Sequence, residues 1–114
     1  MTARYQVQEN IAIITIDNPP INSMGLATRQ GMETALQRAL AAVDVRAIVI
    51  TGANGVLTGG ADIREFGKAI AMQSPTLHDL IRMFEASAKP VISAINGVCM
   101  GGGTEISLGC HYRV

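Results

Sequence analysis

Three apolar, β-branched runs constrain this chain most: IAIITID at 11–17, VRAIVITG at 45–52 and KPVISAI at 89–95. Runs of that length and composition form strands. The segments between them have a different period. From about Leu26 to Val43, the residues Met32, Leu36, Ala39 and Val43 recur every three or four positions, with Arg29, Glu33, Gln37 and Arg38 between them. That spacing predicts an amphipathic helix. Ser74 and Pro75 supply an N-cap and a first helical residue for a second helix, with Leu77, Leu80, Ile81 and Phe84 on its buried face. Strands alternating with helices predict an α/β domain with a largely parallel sheet. The unbroken apolar run at 45–52 predicts a strand covered on both faces. There is no linker, no low-complexity tract and no clear repeat. Three strands with this much apolar surface read as an unfinished sheet, so the expectation is a chain that belongs to something longer.

Composition narrows the function classes. Nine Lys and Arg balance nine Asp and Glu, without a basic run, which argues against nucleic acid. Two Phe, two Tyr and no Trp make a poor base-stacking platform. No apolar run reaches the ~18 residues of a membrane span, and MTARYQVQEN lacks the apolar stretch of a signal peptide. The expectation is a soluble, cytoplasmic protein. Cys99 and Cys110 form no CxxC or CxxH pair, so they read as two buried thiols in a reducing compartment, and no metal site is expected.

The candidate chemistry lies in two glycine-rich turns. In TGGADIRE, residues 58–65, Gly59 and Gly60 permit a tight backbone turn. Asp62 and Glu65 have the spacing of a capping box for a helix running through Phe66 towards Ile70. The N–H of Ala61 would then face a ligand. In GGGTE, residues 101–105, the same plan recurs, with the Gly102 and Gly103 N–H groups at a helix start. Two such turns beside each other would aim two N–H groups at one carbonyl oxygen, the geometry of an oxyanion hole. Glu105 follows in the first helical turn, flanked by Ile106 and Leu108 in partly apolar company, within reach of the same pocket as a proton acceptor. On the residues alone, each turn also fits an ordinary strand-to-helix connection, and Glu105 also fits a helix cap. Other motifs fit worse. TGANG at 51–55 lacks the third glycine of a dinucleotide loop, and there is no GK[ST] phosphate loop. Neither His78 nor His111 is placed to activate Ser93 or Ser107.

Taken in chain order, IAIITIDNPPINSMGL, VRAIVITGANGVLTGGADIREF and KPVISAINGVCMGGGTEISLGCHYRV resemble the crotonase, or enoyl-CoA hydratase/isomerase, superfamily. They are most similar to the hydratase domain of multifunctional fatty-acid oxidation enzymes. The resemblance runs through residues 1–114 as the N-terminal portion of a single crotonase-like domain. It implies an α/β fold of repeated β-β-α units, of which this is the N-terminal half. It implies that Ala61 and Gly102 bind the thioester oxygen through their N–H groups, that Gly60, Ala61, Asp62, Ile63 and Arg64 line the acyl-CoA, and that Ile21 and Ser23 contact CoA. Glu105 matches the first of two catalytic glutamates; the second would fall beyond Val114. The implied reaction is hydration of a trans-2-enoyl-CoA in β-oxidation, with isomerisation of a 3-enoyl-CoA, or an inactive acyl-CoA-binding fragment, as alternatives. No cofactor is implied beyond the CoA of the substrate. A homo-oligomer built on trimers, or a multifunctional enzyme, is the implied assembly, in peroxisomes or mitochondria if the organism is a eukaryote. Leu57 and Thr58 stand where the family often carries other residues, which implies altered packing rather than altered chemistry.

Overall fold

The first Ile-rich run is one arm of a hairpin. In the computed structural model, which describes residues 2–114, strand β1 (Ala3–Gln8) pairs antiparallel with β2 (Ile11–Ile16). Helix α1 (Leu26–Ala41) follows, then β3 (Ala47–Gly52), β4 (Val56–Thr58), helix α2 (Leu77–Ala86), β5 (Val91–Ser93), β6 (Val98–Cys99), helix α3 (Gly102–Gly109) and β7 (Tyr112–Arg113). The main sheet has the order β1-β2-β3-β5-β7, and its last four strands are parallel. A second, two-stranded parallel sheet joins β4 to β6.

The β3 strand departs from expectation. Ile48, Ile50 and Gly52 are buried, whereas Val49 and Thr51 between them are only half-buried. A continuous apolar run therefore hides an alternation: one face of the sheet carries the core, and the other, with Ile13, Val49 and Ile92, is partly open. On the core face, Ala12, Ile14, Ile16, Ile48, Ile50 and Val91 pack against helix residues, among them Met32, Leu36, Leu80, Phe84 and Ile106. Each fully buried large side chain contributes about 1.5–3 kcal/mol.

Three rounds of one plan follow each other: a strand in the main sheet, a short extended segment in the second layer, and a helix. They are β2, Met24 and α1; β3, β4 and α2; β5, β6 and α3. Met24 makes an isolated parallel bridge to Ala61, so the first round is a reduced version of the others. The sequence carries the same doubling in NGVLTGG (54–60) and NGVCMGG (96–102), which corrects the reading that no repeat is present.

Several local expectations are also corrected. Val43 is fully exposed, because α1 stops at Ala41. Arg29 is not on a solvated face; it is 3% exposed. The N-cap of α2 is Thr76 rather than Ser74: its hydroxyl accepts from the Asp79 N–H and the Asp79 carboxylate accepts from the Thr76 N–H, a complete capping box. Residues 63–72 form two single 3₁₀ turns instead of a helix. Asp62 does cap the first of them, but Glu65 does not return to it. Strands β1 and β7 lie where no strand was expected; β1 is mostly exposed and β7 has only two residues.

Helix α3 sits tightly on β4. A β-carbon on Gly103 would collide with Cγ2 of Thr58. Thr58 cannot turn away freely, since its Oγ1 donates to the Asn22 carbonyl at 2.6 Å. Replacing a helix-interior Gly by Ala ordinarily gains about 0.5–1 kcal/mol, while overpacking costs about 1–3 kcal/mol. Gly103→Ala is therefore expected to lower the urea midpoint, and an unchanged or raised midpoint would show that α3 moves off β4 without cost.

Cys110 belongs to the core, but Cys99 is only half-buried, and both are free thiols. Burial pushes the Cys110 thiol up from 9.0 to about 11. Above pH 9 the unfolded chain therefore loses this proton before the folded one does, and stability falls as pH rises from 9 towards 11. With iodoacetamide at pH 8, alkylation at Cys99 and protection of Cys110 are expected by peptide mass mapping. Rapid labelling of Cys110 under native conditions would contradict its place in the core.

Candidate functional site

The two glycine turns meet. Each leaves the tip of a short strand in the second layer, β4 or β6, and those strands are paired. Gly60 has φ +102, a left-handed value that favours glycine. A β-carbon there would lie 2.9 Å from the Met100 carbonyl oxygen and 3.3 Å from the Gly102 nitrogen. From the other side, a β-carbon on Gly102 would lie 3.6 Å from the Ala61 nitrogen and 2.8 Å from Cδ1 of Leu77. The turn at Gly60 and Ala61 is therefore packed closely against the turn that runs from Met100 to Gly102. Among the described residues, neither the Ala61 N–H nor the Gly102 N–H donates to a protein acceptor. The Gly103 N–H, by contrast, is used on the Met100 carbonyl at 2.8 Å, so only one of the two expected glycine donors in this turn is free. Gly102 is the first residue of α3, where an unpaired N–H and the positive end of the helix dipole coincide.

Buried polar groups fix these turns. Asn22, with φ +54 and 1% exposure, donates its amide to the Val56 carbonyl at 2.9 Å and to the Ala53 carbonyl at 3.2 Å. Thr58 accepts from the Gly60 N–H at 3.0 Å. The Met24 N–H donates to the Gly60 carbonyl at 2.8 Å, and the Met100 N–H to the Thr58 carbonyl at 3.2 Å. Adjacent to Ala61 a cavity of about 630 Å³ opens, walled by Phe66, Ala71, Met72 and Leu77, with Thr76 and His78 at its edge. Phe66 and Met72 are exposed to 64% and 78%, so this wall is an apolar surface open to a ligand.

The other sequence candidates are arranged around this point. Ile21 packs against Gly59, and Ser23 holds the preceding loop by accepting from the Asn18 side chain at 2.9 Å. Asp62 and Arg64 pair with each other at 2.8 Å. The Arg64 guanidinium, by hydrogen bonding, holds the Asp62 carboxyl below its usual range. Ile63 is 74% exposed. Glu105 stands in the first turn of α3, its N–H donating to the Gly101 carbonyl at 3.2 Å. Its side chain is exposed, not in apolar company: Ile106 points into the core and Leu108 is itself 64% exposed. Sequence reasoning did not foresee the ion pair of Arg29 with Glu65 at 3.0 Å, whose residues line the same cavity as Ala61.

The fold and these turns have relatives. Residues 6–114 match the family model described as enoyl-CoA hydratase/isomerase. The chain belongs to the enoyl-CoA hydratase/isomerase family. It is 47% identical over 113 residues to a peroxisomal bifunctional enzyme of Danio rerio, covering 98% of this chain and 16% of that protein. It is 39% identical over 114 residues to the human protein of the same name, covering all of this chain and 16% of that one. The chain thus spans about a sixth of the length of these relatives. Among solved structures, an enoyl-CoA hydratase from Bacillus anthracis superposes with a TM-score of 0.87 at 27% identity, over 99% of this chain and 46% of that one. The repeated β-β-α plan is therefore the family's crotonase fold over about half of a solved member's length. Among the described residues, no helix is long and apolar enough to cross a membrane.

Proposed function

We propose that the chain carries the oxyanion hole and one acid/base of an enoyl-CoA hydratase. The observation that carries this reading is that the Ala61 and Gly102 N–H groups, both without a protein acceptor among the described residues, belong to two turns packed closely together, with Ala61 lining an apolar cavity. In this reading both groups donate to the thioester oxygen of a trans-2-enoyl-CoA. Each is worth about 2.7–4 kcal/mol where such donors have been removed in other enzymes. They draw electron density from the conjugated double bond and stabilise the enolate-like charge that develops on oxygen. Glu105 accepts a proton from water as the water oxygen bonds to C3, and a proton is delivered to C2. The product is a 3-hydroxyacyl-CoA, and the atoms of one water account for the change.

Gly60, Ala61, Asp62, Ile63 and Arg64 pass along the acyl-CoA, with Ile21 and Ser23 on its CoA side. The exposure of Glu105 leaves its carboxylate free to meet water and substrate. A second carboxylate further along the polypeptide, as the resemblance implies, would share the water. No cofactor is required beyond the CoA of the substrate, and the enzyme works in the compartment that houses β-oxidation in its organism, as a trimer-based oligomer or within a multifunctional chain. The test is the ultraviolet absorbance of trans-2-butenoyl-CoA with the native gene product. Its decay to a 3-hydroxy product supports hydration. Turnover of a 3-enoyl-CoA alone would favour isomerisation, and binding without turnover of either would leave an acyl-CoA-binding protein.

A further inference from the structure

Arg29 is 3% exposed, yet it makes five hydrogen bonds. Its Nε donates to the Pro75 carbonyl at 2.7 Å; Nη1 to the Met24 carbonyl at 3.1 Å and to Oε1 of Glu65 at 3.0 Å; Nη2 to the carbonyls of Ile70 at 3.0 Å and Gln73 at 3.4 Å. Four of these acceptors are backbone oxygens, none of them in an α-helix or a β-strand. Glu65 completes the arrangement: its Oε2 accepts the Leu26 N–H at 2.9 Å at the start of α1. Gly25 leaves room for it, since a β-carbon there would lie 2.8 Å from that oxygen. A buried ion pair is a weak way to gain stability, and apolar residues of similar volume often do as well or better. Such a pair is better suited to fixing a geometry.

What it fixes is the neighbourhood of Ala61. Met24 accepts from Arg29 and donates to the Gly60 carbonyl at 2.8 Å, so Arg29 is two hydrogen bonds from the residue before Ala61. Glu65 lies one short turn after Ala61 and is tied to α1. The other Arg29 bonds hold residues 70–75, next to the cavity wall formed by Ala71, Met72 and Thr76. We propose that Arg29 and Glu65 are positioning residues that aim the Ala61 N–H and hold the apolar wall against the acyl group. This rests on the reading of Ala61 as a donor to the thioester oxygen.

The experiment uses the native gene product and two conservative variants, E65Q and R29K, with butanoyl-CoA labelled with ¹³C at the thioester carbonyl. Infrared difference spectroscopy reads the carbonyl band of this unreactive ligand, and kcat and KM are measured with trans-2-butenoyl-CoA. Wild type is expected to shift the band to lower frequency. E65Q keeps an amide oxygen for the Leu26 N–H but loses the charge, and is expected to shift it less. Its kcat should fall about tenfold or more, as small displacements of a reacting group do, with KM changed by less than about threefold. R29K is expected to behave alike, and decides the matter if E65Q does not fold. Folded variants of lowered Tm with the wild-type band and kcat would overturn the proposal and leave a purely stabilising pair. Absence of a band shift in wild type would overturn the donor reading itself, and this proposal with it.

Discussion

Glu105→Gln is expected to abolish most hydration while leaving acyl-CoA bound. A positioned acid/base contributes about 10²–10⁴-fold, so kcat should fall within that range, and affinity for butanoyl-CoA, measured by calorimetry, should stay within a few-fold. The side chain is exposed and has no hydrogen-bonding partner among the described residues, so the change disturbs no packing and Tm should hold. Unchanged turnover would remove Glu105 from the mechanism and leave it as one more acidic residue near the positive end of α3.

Gly102→Pro is expected to cost about 10²–10³ in kcat, the loss seen when one oxyanion donor is removed. The substitution suits its position. Gly102 is the first residue of α3, where proline is tolerated because the missing N–H has no helical partner. The ring also adds a β-carbon, 2.8 Å from Cδ1 of Leu77, the end of a flexible side chain. Gly102→Ala brings the same crowding but keeps the N–H, and so separates the two effects. If the alanine and proline variants lose activity equally, crowding rather than the donor explains the loss.

Much of this arrangement could be read from the residues. The runs at 11–17 and 45–52 became β2 and β3 because β-branched side chains fit a pleated surface wherever one face is buried. Glycines at 60 and 102 marked two tight turns, and the structure packs those turns closely against each other. Other features were hidden for physical reasons. Strand β1 carries ARYQVQ, in which only Ala3 is buried; its strand character comes from pairing with β2, not from its own pattern. Arg29 looked like a solvated residue because arginine usually is, yet it stands three before Met32 and seven before Leu36, on the same stripe of α1. Periodicity pointed inward there and residue type pointed outward; the Glu65 carboxylate and four carbonyls decided it. The capping box expected between Asp62 and Glu65 failed for the same reason, since Glu65 is committed to α1. At 74–79 two residues competed to start a helix, and Thr76 prevailed because Asp79 could return its hydrogen bond, while Ser74 instead donates to Asp79 from outside the helix.

The paired short strands have a consequence for how the chain assembles. Ala61 comes from the second round of the fold and Gly102 from the third, and the first round reaches the pair through the bridge from Met24. No single stretch of the polypeptide contains the donor pair, and closing the loops between the rounds costs entropy before either turn is held. An intermediate with two rounds in place has strands and helices but no paired donors. If Ala61 and Gly102 are the thioester donors proposed above, an acyl-CoA selects the state in which all three rounds are joined and is expected to stabilise regions far from any atom it touches.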